Sequence, residues 1–155
     1  VITLAPTERD IHRVLSTRAR EADPAKPREV CLTYKELGLL IDPEGENTGM
    51  SRPPFRTLFP ALGNVSRYEV EHGRPMLSAL VVAQESGVPG PGFAELARQL
   101  QLPVGDEDTY WDRELDAVVR FWSAHDPVLL LDAAVDRLTA QLDDIKAAMH
   151  RLGDA

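Results

Sequence analysis

Four arginines carry the most direct chemical signal in this chain of 155 residues: Arg52, Arg56, Arg67 and Arg74. No Asp or Glu falls between Met50 and Tyr68, so the stretch lacks compensating charge along the chain. A guanidinium holds phosphate oxygens through paired N–H groups, so such a cluster suits phosphate or groove contacts on nucleic acid. The alternative is that these arginines pair with acids of the second half. Residues 1–75 hold 11 Lys and Arg against 11 Asp and Glu, whereas residues 76–155 hold 6 against 14. The whole formal charge of −8 therefore sits in the second half. Bulk electrostatics oppose avid nucleic-acid binding, which leaves only a local basic face in the first half.

Other chemistries find little support. His12, His72, His125 and His150 never stand three or four residues from one another or from the cysteine, so no zinc-ligand spacing exists. Asp143 and Asp144 are adjacent on a helical stretch and point apart, as residues of a solvated face do. Cys31 lies in the apolar run Val30-Cys31-Leu32 and reads as an inert thiol. As the only cysteine it excludes an internal disulfide, which fits a reducing, cytoplasmic setting. The prolines of the segment from Gly87 to Gly92 remove amides that would cradle a phosphate. Ser78 has no glycine elbow around it. We find no enzyme signature, no metal site and no cofactor motif.

The elements that must position the arginines are mainly helical. Thr7-Glu8-Arg9-Asp10 has the character of a cap with acidic first-turn residues, and Ile11, Val14 and Leu15 predict a helix over 7–21. Thr33 and Glu36 have capping-box spacing ahead of Leu37, Leu40 and Ile41. Residues 42–51 contain turn formers without a period and predict an exposed loop. The prolines of Arg52-Pro53-Pro54-Phe55-Arg56 suit the first turn of a helix, which Pro60 is expected to end or kink. A further helical piece is expected over 62–72. Leu77 to Val82 reads as a strand, residues 83–87 as a hairpin turn, and the arm with Pro89 and Pro91 as an edge that peels away. A helix over 93–102 closes at Pro103. Trp111, Leu115, Val118, Val119 and Trp122 share one helical face and read as core.

Asp126-Pro127 caps and starts the last helix. Along it Leu131, Val135, Leu138, Leu142, Ile145, Met149 and Leu152 recur at alternating steps of four and three. A heptad stripe of this kind needs a partner helix. That partner is a second copy of the chain, giving a homodimer, or the preceding helix with Trp111, Leu115, Val118 and Trp122. No run of 18 apolar residues exists, so no membrane-spanning helix is expected. Val1 to Pro6 is too short for a signal peptide and lacks a basic flank.

The order Thr33-Tyr34, an arginine followed by Leu-Gly, Pro75, Val81-Val82, then Gly87 through Gly92-Phe93 resembles a known pattern. It is similar to the winged-helix DNA-binding domain of O6-alkylguanine-DNA alkyltransferases and alkyltransferase-like proteins. In those, a Thr-Tyr-Gly-Glu helix start, an Arg-Ala-Val-Gly recognition helix and Pro-Cys-His-Arg-Val-Val with a glycine-rich wing follow in that order. The resemblance covers about residues 30–95. It implies Tyr34 near a phosphate, Arg52 or Arg56 on the helix that enters a groove, and a wing over 83–92. Met76 stands at the place of the nucleophilic cysteine and no His-Arg follows, so the alkyl-transfer reaction does not carry over.

The expectation is a mainly α chain with a small β-hairpin. A winged-helix-like domain spans 1–103, and a C-terminal helical hairpin or coiled coil spans 104–155. Its expected function is that of a small non-enzymatic DNA-binding or DNA-associated protein, with duplex DNA and a second copy as partners. The alternative is an acidic protein-interaction module of a larger bacterial complex, of toxin–antitoxin or phage-defence type.

Overall fold

The computed structural model describes residues 1–124 and 127–153, with residues 127–134, 136 and 137 described through their backbone alone. It is mainly helical, with one two-stranded parallel sheet. Helix α1 spans Pro6–Glu21 and buries Ile11, Leu15 and Ala19, four residues apart. It starts one residue earlier than Thr7 suggests. Pro6 presets the first helical φ, and the Ala5 amide donates to Glu8 Oε1 at 2.8 Å. Glu8 Oε2 accepts from Asn64 Nδ2 at 2.7 Å, so the capping acid also ties α1 to a distant helix.

After a 3-10 turn at Pro27–Val30 comes strand β1, Leu32–Thr33, and then helix α2, Tyr34–Ile41. Thr33 is both the last strand residue and the cap: Thr33 Oγ1 accepts from Glu36 N at 3.1 Å, and Thr33 N donates to Glu36 Oε1 at 3.2 Å. Residues 42–51 are not loop throughout. They contain a single-turn helix, α3 (Thr48–Ser51), capped by Asn47 Oδ1 and burying Met50 and Ser51. One turn is too short to show a period, so only its burial reveals it.

Residues 52–57 form a loop, not the start of a helix. The Pro53–Pro54 bond is cis and Phe55 has φ 56°. Helix α4 then runs unbroken over Leu58–Glu71. Pro60 neither ends nor kinks it, because it stands in the first turn, where amides have no intrahelical partner.

The segment expected to form a hairpin is built otherwise. Leu77–Leu80 is a 3-10 turn whose four residues are all buried. Ser66 Oγ accepts from Ser78 N at 3.1 Å and donates to Ser78 Oγ at 2.7 Å, which locks the turn to α4. Strand β2, Val81–Val82, pairs in parallel with β1, Leu32 opposite Val81 and Thr33 opposite Val82. The chain then reverses, with Ala83 N donating to Val88 O and Gly87 N to Ala83 O, both at 2.9 Å, and Gly87 at φ 70°. No strand returns through residues 88–91, where Pro89 and Pro91 have no amide to give.

Helix α5 spans Gly92–Gln99 and helix α6 spans Glu107–Ser123, capped by Asp106 Oδ1 accepting from Thr109 N at 2.9 Å. Trp111, Leu115, Val118, Val119 and Trp122 are buried on α6, as their spacing requires. Helix α1 lies against both α4 and α6, with the 3-10 turn at 77–80 between them. One core of Ile11, Leu15, Leu58, Val65, Leu80 and Leu115 results. Because α6 belongs to that core, the first compact unit extends to Ala124, past the boundary expected at residue 103.

The second unit is helix α7, Pro127–Gly153. The expected cap Asp126 and the side chain of Leu131 lie outside the described residues. Val135, Leu138, Leu142, Ile145, Met149 and Leu152 are all exposed. Among the described residues no helix is long and apolar enough to cross a membrane.

Candidate nucleic-acid interface

Tyr34 is the hinge of the candidate site. As the first residue of α2 it is aimed by the Thr33 capping box, and its phenol oxygen accepts the Gly90 amide at 2.8 Å. That bond joins the start of α2 to the turn at 83–92. Burial pushes the Tyr34 hydroxyl above its ordinary pKa, against the lowering effect of the Gly90 amide.

Two aromatic rings gather on it. Phe59 stands edge-on to Tyr34 with ring centroids 4.9 Å apart, and Phe55 lies 5.8 Å from Tyr34 and 5.4 Å from Phe59. Phe59 nevertheless remains 44% exposed. The left-handed backbone at Phe55 and the unbroken first turn of α4 set these two rings side by side.

A hollow lies on either side of Tyr34. The larger, of about 570 Å³, is lined by Thr33, Tyr34, Lys35, Pro53, Phe55 and residues 83–85. The smaller, of about 240 Å³, is walled by Tyr34, Phe59, Leu62, Phe93 and Leu96, with Ser78 and the Gly90-Pro91-Gly92 backbone completing it. A shallow groove between α4 and α5 carries Arg67 beside Gly63, Glu95 and Gln99.

The arginines fall into two groups. Arg52 and Arg56 are exposed in the loop that carries Pro53 and Phe55, and neither has a side-chain partner among the described residues. Lys35 is likewise exposed without a carboxylate partner. Arg67 donates to Gln99 Oε1 at 3.2 Å and holds no acid. Arg74 is different. It donates to both oxygens of the buried Glu69, at 2.9 and 2.8 Å, and lies over the rings of Tyr68 and Trp122. The same carboxylate meets His12 Nε2 at 2.7 Å. Arg74 therefore serves the core and is not free for a phosphate.

The position of the alkyltransferase nucleophile is closed as well as changed. Met76 is fully buried, its amide donates to Glu114 Oε1 at 3.0 Å, and Tyr110 OH lies 3.4 Å from its sulfur. Cys31 is half-buried, and burial pushes its thiol up to about 11, against the pull of Arg28 and Arg18. Among the described residues no three His, Cys, Asp or Glu side chains gather as metal ligands do.

The arrangement can hold phosphates by charge and present aromatic faces to rings. Sequence reasoning singled out Tyr34, Arg52, Arg56 and Arg67 and passed over Lys35, Phe55 and Phe59, which the structure sets around Tyr34 and its hollows. The signal was present: two phenylalanines four residues apart within the stretch free of acids. No family model matches the chain, and no curated protein or solved structure matches it either.

Proposed function

We propose that the first unit is a non-enzymatic nucleic-acid-binding module of winged-helix type, with DNA as its partner. In this reading α4 and the turn at 83–92 are its two arms, and Lys35, Arg52, Arg56 and Arg67 hold phosphates. The observation that carries it is the group of cations without carboxylate partners beside the exposed ring of Phe59 and the half-buried rings of Tyr34 and Phe55. Other arginines of the first unit are tied to the fold, Arg28 by Asp112, Arg74 by Glu69, Arg98 by Glu107 and Arg120 by Asp116, and Arg18 and Arg113 by backbone carbonyls.

Fluorescence anisotropy with labelled duplex DNA across a salt series tests the reading. Up to four side-chain cations neutralising phosphates, and so releasing the counterions of the DNA, give a log–log salt slope of about −3 to −4, and Arg52→Ser with Arg56→Ser lowers its magnitude by about 2. Binding that is indifferent to salt, or undetectable at low salt with both duplex and single-stranded DNA, rejects the proposal.

A second reading belongs to α7, whose described stripe residues are exposed. We propose that this stripe joins two copies of the chain. The alternative, docking onto a different protein of a larger complex, draws support from the acidic second half. Co-purification separates the two: the homodimer yields the chain alone, whereas the complex brings a basic partner of different mass.

A further inference from the structure

We infer that the face built by Tyr34, Phe55 and Phe59 takes unpaired nucleotides, stacking their bases, in preference to intact duplex. The inference rests on the nucleic-acid reading above and narrows it to a substrate class. Its first support is what α4 turns outward. A helix that reads base edges in a groove needs side chains with paired donors and acceptors. The α4–α5 groove presents Phe59, Pro60, Gly63 and Arg67 from α4, and only Arg67 among them can hydrogen-bond to a base. Asn64, the one amide side chain of α4, already donates to Glu8 at 2.7 Å. The helix is poorly equipped to read sequence.

It is better equipped to stack. Phe59 is held by Tyr34 edge-on at 4.9 Å and by Phe55 at 5.4 Å, yet stays 44% exposed. A core phenylalanine has no reason to be both braced and open. Every base has a π-face, but in a duplex those faces are covered by neighbouring bases, so an aromatic platform engages only unstacked ones. Lys35 lines the larger hollow, and Arg52 and Arg56 are chain neighbours of its Pro53 and Phe55 walls, which places backbone-holding charge beside the rings.

The carboxylates point the same way. Glu85 lines the larger hollow and Glu95 the α4–α5 groove. A duplex carries a phosphate for about every 1.7 Å of axis and presents two strands to these acids, whereas one strand presents half as many. Repulsion therefore penalises duplex more than a single strand laid along the same face.

The test measures labelled oligothymidylate, oligouridylate and a duplex of equal length against the full chain at one low salt concentration. Either single strand is expected to bind at least tenfold tighter than the duplex, the sugar being irrelevant to stacking. Phe59→Leu keeps apolar bulk against Tyr34 while removing the ring. It should weaken single-strand binding about five- to tenfold and leave duplex binding within twofold. Phe59→Ala serves as the harsher variant, with folding checked by circular dichroism. Duplex binding as tight as single-strand binding overturns the inference while the nucleic-acid reading stands. So does single-strand binding that responds to Arg52→Ser and Arg56→Ser but not to Phe59→Leu. If neither nucleic acid binds at low salt, both readings fall, and a face that captures only protein has the same consequence.

Discussion

Glu69 is a carboxylate with no solvent contact, and through it α4 meets His12 of α1 and Arg74 of the segment that follows α4. Burial among apolar groups pushes its pKa up, but the hydrogen bonds from His12 and Arg74 outweigh this and hold it below the ordinary carboxylate value. Such a group stabilises the fold fully above the unfolded-state pKa. That stabilisation is lost as pH falls through the lower folded-state value. Replacing it by a neutral amide leaves Arg74 without its counter-charge, so Glu69→Gln is expected to cost about 3 kcal/mol at pH 7. Urea unfolding of both proteins at pH 7 and pH 3 checks this: the gap should narrow in acid, and a gap below about 0.5 kcal/mol at pH 7 refutes the role. Tyr34→Phe is milder. It removes the acceptor of the Gly90 amide, which is partly accessible to water, so a loss of about 1 kcal/mol and faster exchange of that amide are expected. Unchanged exchange at Gly90 would show that the bond does not hold the turn.

At the scale of elements, the close approach of α2 and α3 decides where the arginine loop starts. A Cβ on Gly38 would overlap the carbonyl oxygen of Met50 and crowd the Ser51 Cα, so only glycine lets the two backbones meet. Gly38→Ala must push α3 away, and because the obstacle is backbone the expected cost is about 2 kcal/mol or more. A melting temperature within a degree or two of the parent's would show that α3 moves freely. This contact was not legible in the sequence, where Gly38 sits inside a helical pattern and residues 48–51 show no period. The Thr33 box, by contrast, was legible, because a cap depends on residues only three apart. Pro60 misled for a related reason. Its effect depends on where the helix begins, and α4 begins at Leu58 because the preceding loop, with Phe55 in the left-handed region, delivers the chain there.

At the scale of the molecule, α7 stands as a unit by itself, about 40 Å long at 1.5 Å per residue. Full burial of an aliphatic side chain is worth roughly 1.5–3 kcal/mol, so the six exposed stripe residues from Val135 to Leu152 represent a large unrealised stabilisation. A second copy supplies an identical stripe. Sedimentation is expected to show a dimer at micromolar concentration, and Leu142→Glu a folded monomer whose first unit melts unchanged. A parent protein that remains monomeric at high concentration removes the homodimer. Dimerisation would also set two copies of the proposed nucleic-acid face on one particle and raise avidity by linkage.

The sequence by itself determined the features that depend on neighbours along the chain. These are the helical periods of α1, α6 and α7, the capping box at Thr33, the buried tryptophans and the uneven charge. The first three follow from spacings of three, four or seven residues, and the last from a count. Only the tertiary structure decided which arginines are free. Arg74 and Arg56 look alike in sequence, but Arg74 follows Glu69 by five residues across the end of α4 and is captured by it, whereas Arg56 makes no hydrogen bond or ion pair through its side chain among the described residues. The parallel pairing of Leu32–Thr33 with Val81–Val82 was likewise beyond sequence reading. Two residues per strand leave no alternation to detect, and the pairing joins segments nearly fifty residues apart, where chain-local patterns carry no information about contact.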